Sequence, residues 1–189
     1  MKWLIDTDSP LYNIMNFFAD VIIFALIFFL CSIPIFTIGA ANCAMYYCAQ
    51  KRIFEEKASL RDFFGAFRKN FIIATLIWIW TLIIFFALLI IWINFSQVYA
   101  LIPILIFLLL ELIFTCIYIF PIINRNCKSI KLSLIIAHKH LPTTLLCTII
   151  AVIIMITCAF YPLLILISGG LYNFLTAYFI EKIFRNYKI

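Results

Sequence analysis

The sequence predicts an all-α bundle of membrane-spanning helices, because apolar residues form long stretches and charged residues are few. Hydrophobic residues make up 67% of the 189 residues, charged residues make up 12%, and the mean hydropathy is +1.19. Soluble domains contain about 25% charged residues, so the composition excludes that class. We predict an integral membrane protein in contact with the lipid bilayer, with residues 1–189 forming a single transmembrane domain.

Five stretches are long enough to cross a bilayer, since about 20 apolar residues span roughly 30 Å of hydrocarbon. Ser9 and Pro10 suit the start of the first helix, and Pro34 marks its end. Only a few residues separate the second and third stretches, which therefore form an antiparallel hairpin. The predicted spans are about 16–38, 71–95, 100–121, 141–161 and 162–183.

An internal repeat leaves the number of spans open. Residues 39–51 match residues 170–182 at a constant offset, with Gly, Asn, Tyr and Lys at corresponding positions. If the second copy is a membrane helix, then residues 39–56 can be membrane-embedded as a sixth span. A helix of about twelve residues covers only ~18 Å, which is less than the hydrocarbon thickness. Five spans are therefore preferred.

The basic residues predict the orientation of the chain. Lys and Arg cluster in residues 51–69, residues 125–139 and the C-terminal tail, whereas the linkers near residues 97 and 161 contain none. Positively charged connections stay on the cytoplasmic side, so both long connections and the C-terminus are predicted to be cytoplasmic. Five spans then place the N-terminus outside, and six place it inside.

Two cytoplasmic amphipathic elbow helices are predicted, over residues 59–69 and 129–140. In each, apolar residues recur at helical spacing with cationic residues on another face. Ser59 is expected to cap the first helix together with Asp62, and Ser129 begins the second. Such helices anchor in anionic lipid headgroups or bind a partner protein. The candidate contact residues are Arg61, Phe63, Phe64, Phe67, Arg68, Lys69, Lys131 and Lys139.

Glu111 is predicted to lie in the middle of the third span, on one stripe with Thr115 and Tyr118. Intramembrane carboxylates often mark ion or proton paths. No cationic residue is expected in another span to pair with Glu111, and no second acid supplies a relay. A protonated Glu111 that bonds a neighbouring helix is therefore preferred to a transport path, and His138 is expected at the surface. Trp78 lies too deep for an interfacial aromatic, so its indole should bond another helix.

Several function classes are not indicated. No serine has a neighbouring base by motif, the four glycines leave no phosphate-cradling loop, and the seven cysteines do not complete a zinc set. Orientation in a membrane explains the net charge of +6 better than a nucleic-acid partner does. We therefore expect no enzyme activity, no cofactor, no metal and no nucleic-acid binding.

Two stretches carry a resemblance to a known family. The segments SIPIFTIGAANCAMYY, from Ser32 to Tyr47, and SLRDFFGAFRKNF, from Ser59 to Phe71, resemble the YesL family of small bacterial membrane proteins. That family has a Ser-Leu-Pro-x-x-Thr-Ile-Gly-Pro-Ala turn after its first span, followed by an aromatic and basic elbow. Ala40 departs from this pattern, since the family usually has proline there.

The resemblance implies a location and a role. The family is a domain of unknown function, and its genes often stand beside carbohydrate ABC importers. A multi-pass protein of the bacterial cytoplasmic membrane is implied, acting as an accessory or partner-binding subunit in carbohydrate ABC import, with an ABC permease among its possible partners. The alternative is a small transporter or channel with Glu111 in its pathway.

Overall fold

The computed structural model describes residues 10–55, 58–95, 101–125 and 129–187, which fold into helices without strands. Five of these helices are long and apolar enough to cross a membrane, namely α1, α3, α4, α6 and α7. The predicted fold class is therefore confirmed. The helices are α1 (Pro10–Ser32), α2 (Ile38–Phe54), α3 (Leu60–Phe95), α4 (Ile102–Asn124), α5 (Ile130–Lys139), α6 (Leu141–Phe160) and α7 (Ile165–Tyr187).

The helix ends differ from the predicted spans at two prolines. α1 ends at Ser32, before Pro34, and a short 3-10 turn over Ile35–Thr37 leads into α2. α4, in contrast, continues through Pro121 to Asn124, although the sequence predicted an end at that proline. Membrane helices tolerate proline because neighbouring groups replace the lost hydrogen bond.

The short helix α2 occupies the centre of the bundle, where it packs against α1, α3, α4 and α7. It returns along α1, so that the Arg52 Nε lies 2.6 Å from Asp20 Oδ2. The last turn of α2 also meets α7, since the Arg185 guanidinium lies 4.2 Å from the centre of the Phe54 ring. The first half of α1 and the last turns of α7 are thus at the same end of the bundle.

The two copies of the internal repeat lie side by side. They form α2 and α7, which run parallel, and the Asn173 Nδ2 donates to the Asn42 Oδ1 over 3.0 Å. The first residue of each copy is a glycine in tight contact with a neighbouring helix. A Cβ atom on Gly39 would lie 2.4 Å from the Ala74 carbonyl oxygen, and one on Gly170 would lie 2.3 Å from the Ala25 Cβ. The repeat therefore marks a packing surface at the centre of the molecule.

The two predicted elbows fold differently. The first is not a separate helix, because residues 60–69 form the start of the 36-residue helix α3, which is ~54 Å long. The second is separate and forms α5, which ends before His140. Pro142 explains the difference, since proline lacks an N–H group and clashes with the preceding helical turn. The corresponding position of α3 is Ile72, which continues the helix.

Both elbow helices begin with the predicted serine cap. The Ser59 N–H donates to Asp62 Oδ2 over 2.9 Å, and the Asp62 N–H donates to Ser59 Oγ over 3.4 Å. This pair is the expected capping box. In α5, the Leu132 N–H donates to Ser129 Oγ over 3.3 Å. Local sequence therefore sets both starts.

Ion pairs join the helices at one end of the bundle, which we call the basic end. Asp20 and Arg52 join α1 to α2, and a Lys51–Asp62 pair at 2.8 Å joins α2 to α3. Arg125 and Glu181 join α4 to α7 at 2.6 Å, with the Glu181 side chain only 5% exposed. Removal of one partner from a buried pair is strongly destabilising, so this last contact fixes the ends of α4 and α7.

Candidate functional site

The centre of the candidate site is a contact between a carboxyl group of α4 and an imidazole of α5. The Glu111 Oε1 lies 3.0 Å from the His138 Nε2, and the exposed fractions of the side chains are 19% for Glu111 and 47% for His138. The other ring nitrogen, Nδ1, lies 3.0 Å from the Leu134 carbonyl oxygen. The hydrogen bond to Leu134 and the nearby Glu111 carboxylate raise the pKa of His138.

The sequence analysis expected no cationic partner for Glu111 in another span, and His138 comes from α5, which is not one of the spanning helices. α5 packs along α4, with Ser133, Ile136 and Ala137 buried between them and the neighbouring helices. His138 thereby reaches Glu111, which lies nine residues, or ~14 Å, from the start of α4.

Glu111 lines a cavity of about 310 Å³ between α3, α4 and α5. The walls are mostly apolar, and Glu111 is their only ionisable carboxylate among the described residues. Its second carboxyl oxygen, Oε2, is buried and has no hydrogen-bond partner within the described part of the chain. Polar groups in the wall are Thr81 and Thr115, while Trp80, Ile84, Leu108, Ile130 and Leu134 supply apolar surface.

The predicted stripe of Glu111, Thr115 and Tyr118 does not form one site. The Thr115 Oγ1 donates to the Glu111 carbonyl oxygen over 2.8 Å, so it remains beside the acid. Tyr118 is fully buried and its hydroxyl lies 3.1 Å from Thr144 Oγ1 at the start of α6. Thr144 in turn donates to the Ala137 carbonyl oxygen over 2.9 Å. Tyr118 therefore helps to hold α4, α5 and α6 together.

The predicted contact residues divide into buried and exposed groups. Phe63 is completely buried and Phe67 packs against the core, so these two side chains stabilise the bundle. Phe64 is exposed at the basic end of α3. The exposed cationic residues on the two elbows are Arg61, Arg68, Lys69, Lys131 and Lys139.

A second cavity, of about 420 Å³, was not predicted from the sequence. It lies between α2, α3, α4, α6 and α7, beside the Asn42–Asn173 pair. Trp78 and Phe120 form part of its wall, and the Trp78 indole donates to the Ile35 carbonyl oxygen over 2.8 Å. The sequence predicted a bond to another helix, and the acceptor lies in the short 3-10 turn that leads into α2. The repeated asparagine was the sequence signal that could have indicated this cavity.

No group of three or more His, Cys, Asp or Glu side chains within the described residues could hold a metal ion. The cysteines in this part of the chain are free thiols. The arrangement offers a hydrogen-bonded pair of Glu111 and His138, two mostly apolar cavities and an exposed cationic surface.

Comparison with known proteins finds one family model that matches part of the chain. Residues 19–95 match the family described as Protein of unknown function, DUF624. The match covers most of α1 and all of α2 and α3, and includes the segments on which the YesL resemblance rests. No curated protein and no solved structure matches the chain. The family description and the apolar helices together support a membrane protein whose biochemical function is unknown.

Proposed function

We propose that this chain is an accessory subunit that binds a larger membrane protein, and that it has no enzyme activity of its own. The observation that carries the proposal is the outer face of α5. This face exposes Lys131, Ile135, His138 and Lys139, while the opposite face packs into the bundle. We call these four residues the α5 face.

The α5 face lies beside exposed apolar side chains of α4, which are typical of a surface in contact with lipid. His138 contacts Glu111 in the middle of α4, and the neighbouring side chains Phe107, Leu108 and Leu110 are exposed and apolar. An ionised side chain at the centre of a membrane costs roughly 2.5–3.5 kcal/mol on insertion scales. A partner with acidic or polar groups would cover the cationic residues and lower this cost. In the absence of a protein partner, anionic lipid headgroups near α5 would neutralise the same cationic residues.

The identity of the partner comes from the resemblance described above. That resemblance points to a carbohydrate ABC importer, whose permease is a membrane protein. Arg52, Arg125 and Arg185 lie at the basic end together with the first half of α1 and the end of α7. The positive-inside rule then favours a cytoplasmic basic end in a bacterial cytoplasmic membrane, with both termini cytoplasmic.

Photo-crosslinking from the α5 face tests this proposal. A photoreactive amino acid replaces Ile135, which is 61% exposed, and a matched control replaces Ile93, which is 72% exposed near the far end of α3. In native membranes we expect one discrete protein adduct from position 135, identified by mass spectrometry as a permease or ATPase subunit, and none from position 93. Lipid adducts alone at both positions, with a chain that purifies without a partner, would contradict the proposal.

A small transporter is the second candidate function. It is favoured by one observation, the position of Glu111 in the wall of the 310 Å³ cavity with its Oε2 unpartnered. In this role the carboxylate would bind a proton or a cationic substrate in the path. Flux of a proton or cation into liposomes that contain the purified chain, and its loss in Glu111→Gln, would favour the transporter. Flux equal to that of empty liposomes would exclude it.

A further inference from the structure

A polar pocket of about 220 Å³ lies at the basic end, apart from the Glu111 cavity. Its walls come from the first turns of α3, the end of α4 and Tyr47 of α2. Polar and charged side chains supply much of the surface, in contrast to the two apolar cavities. The residues that bear on the argument are Arg61, Asp62, Gly65, Lys69, Asn70 and Asn124.

The pocket has an excess of positive charge. Arg61 and Lys69 are exposed, and neither forms an ion pair with a carboxylate in the described part of the chain. Asp62 also lines the pocket, but its charge is already neutralised. Its Oδ1 lies 2.8 Å from Lys51 Nζ, and its Oδ2 accepts hydrogen bonds from the Ser59 hydroxyl and N–H groups. Two cations therefore remain for a ligand.

A buried amide forms another part of the wall. The Asn70 side chain is 5% exposed, and its Nδ2 donates to Asn124 Oδ1 over 2.8 Å. The Asn124 Nδ2 donates in turn to the Cys43 carbonyl oxygen over 2.7 Å, which fixes the pair against α2. A primary amide carries two N–H groups, so the bond to Asn124 uses only one of the two that Asn70 brings to the pocket wall.

Gly65 keeps the space between the two cations open. Arg61, Gly65 and Lys69 are spaced at i, i+4 and i+8, so they follow one side of α3 with the glycine in the middle. A Cβ atom at Gly65 would have no neighbour within 4 Å. The gap admits a group of several atoms between two long cationic side chains.

We propose that this pocket binds a phosphate group. A phosphate accepts hydrogen bonds on several oxygens, which suits a guanidinium, an ammonium and an amide that converge on one small space. The pocket is at the cationic end of the bundle, where both a phospholipid headgroup and a soluble phosphorylated compound can reach it. The shared chemistry is a phosphate monoester or diester.

Binding to the full chain in neutral detergent tests the proposal with two probes, glycerol 3-phosphate and short-chain phosphatidylglycerol. Arg61→Gln combined with Lys69→Gln removes both cations, and we expect affinity for the bound probe to fall at least ~10-fold. Gly65→Leu places a side chain in the gap, where a Cβ atom has no neighbour within 4 Å, and should weaken binding to a similar extent. Arg68→Gln is the matched control, since this exposed cation on the same helix does not line the pocket, and it should change affinity less than ~2-fold.

The two probes distinguish the sources of the phosphate. Binding of both probes supports a soluble phosphorylated ligand, and binding of the lipid alone supports a headgroup. Unfolding temperatures of the variants show whether the fold is intact. The proposal is overturned if neither probe binds, if the double variant and Gly65→Leu bind as tightly as the wild type, or if Arg68→Gln loses as much affinity as the double variant.

Discussion

His138 holds a proton toward both of its neighbours. A carbonyl oxygen only accepts hydrogen bonds, so Nδ1, which lies 3.0 Å from the Leu134 oxygen, carries a proton. The 3.0 Å contact between Nε2 and Glu111 Oε1 needs a second proton. A charged imidazole carries this proton as well, so His138 then donates both to Glu111 of α4 and to its own helix.

Stability should therefore depend on pH through His138. The fold raises the pKa of His138 above its ordinary value near 6.5, so the charged form is stabilised. This contribution is complete below about pH 6.5 and is lost as the pH rises through the raised pKa. Unfolding temperatures in detergent from about pH 5.5 to about 8.5 measure the effect. The wild type should exceed His138→Gln by more at low pH than at high pH, and a constant difference would contradict this expectation.

Two substitutions at Glu111 separate hydrogen bonding from simple packing. Glu111→Gln keeps an oxygen that can accept a hydrogen bond from His138, whereas Glu111→Leu keeps only the approximate volume. We expect Glu111→Leu to be less stable than Glu111→Gln by about 1 kcal/mol, the usual net value of one hydrogen bond. Thermal or denaturant unfolding in detergent measures the difference. Equal stability of both variants and the wild type would show that the bond contributes nothing.

The sequence predicted some of these single-residue contacts and missed others. The Ser59–Asp62 cap and the bonded Trp78 indole follow from local spacing and depth, so they could be predicted. The contact between Glu111 and His138 could not, because the two residues are 27 positions apart and meet only when α5 packs along α4. A lone acid in an apolar span indicates that a partner is needed, without indicating which residue it is.

At the scale of helices, the glycines provide a matched test of packing. Gly39→Ala would put a Cβ atom 2.4 Å from the Ala74 carbonyl oxygen and 2.7 Å from the Trp78 Cβ, so α2 and α3 must move apart. We expect a loss of about 1–3 kcal/mol in the free energy of unfolding, which is typical of overpacking. Gly65→Ala is the control, and it should be neutral or slightly stabilising because alanine favours a helix. Similar destabilisation by both substitutions would show that glycine at position 39 has no packing role.

The predicted elbows show what periodicity can and cannot indicate about a helix. The amphipathic pattern in residues 59–69 correctly predicted a helix, but the pattern alone does not indicate whether that helix continues into the next span. Pro142 was the decisive residue in the second copy, because it ends α5 at a definite position. The depth of α5 beside α4 depends on the buried side chains of both helices, which local sequence does not reveal.

At the scale of the whole molecule, the direction of α2 determines at which end of the bundle the first half of α1 and the last turns of α7 lie. Five apolar helices are evident from composition alone, and the structure has them. α2 contains 17 residues, including Asn42, Gln50, Lys51 and Arg52, so it resembles a polar connection in the sequence. Because α2 runs back along α1, the first half of α1 and the end of α7 lie at the same end of the bundle. The repeat with α7 was the sequence signal that α2 is a helix of the bundle.

Reporter fusions test the resulting topology. A reporter that is active only in the cytoplasm, fused in turn to the N-terminus and to the C-terminus, should give activity in both fusions. The physical reason is that Asp20 of α1 and Arg185 of α7 both contact the last turn of α2 at the basic end. A fusion at the linker near residue 97, which lacks Lys and Arg, is the control and should be inactive. Opposite results for the two termini would contradict the arrangement.

The position of α2 affects the insertion of the nascent chain into the membrane. A segment with two amides, two cations and only 17 residues is a poor substrate for lateral release from the translocon into lipid. α1 and α3 flank it in the nascent chain and are far more apolar, so α2 is expected to leave the channel only when these neighbours shield it. Cotranslational insertion would then proceed in a block of three helices, and residues 19–95, the part that matches a known family, would be the unit that the cell must integrate first.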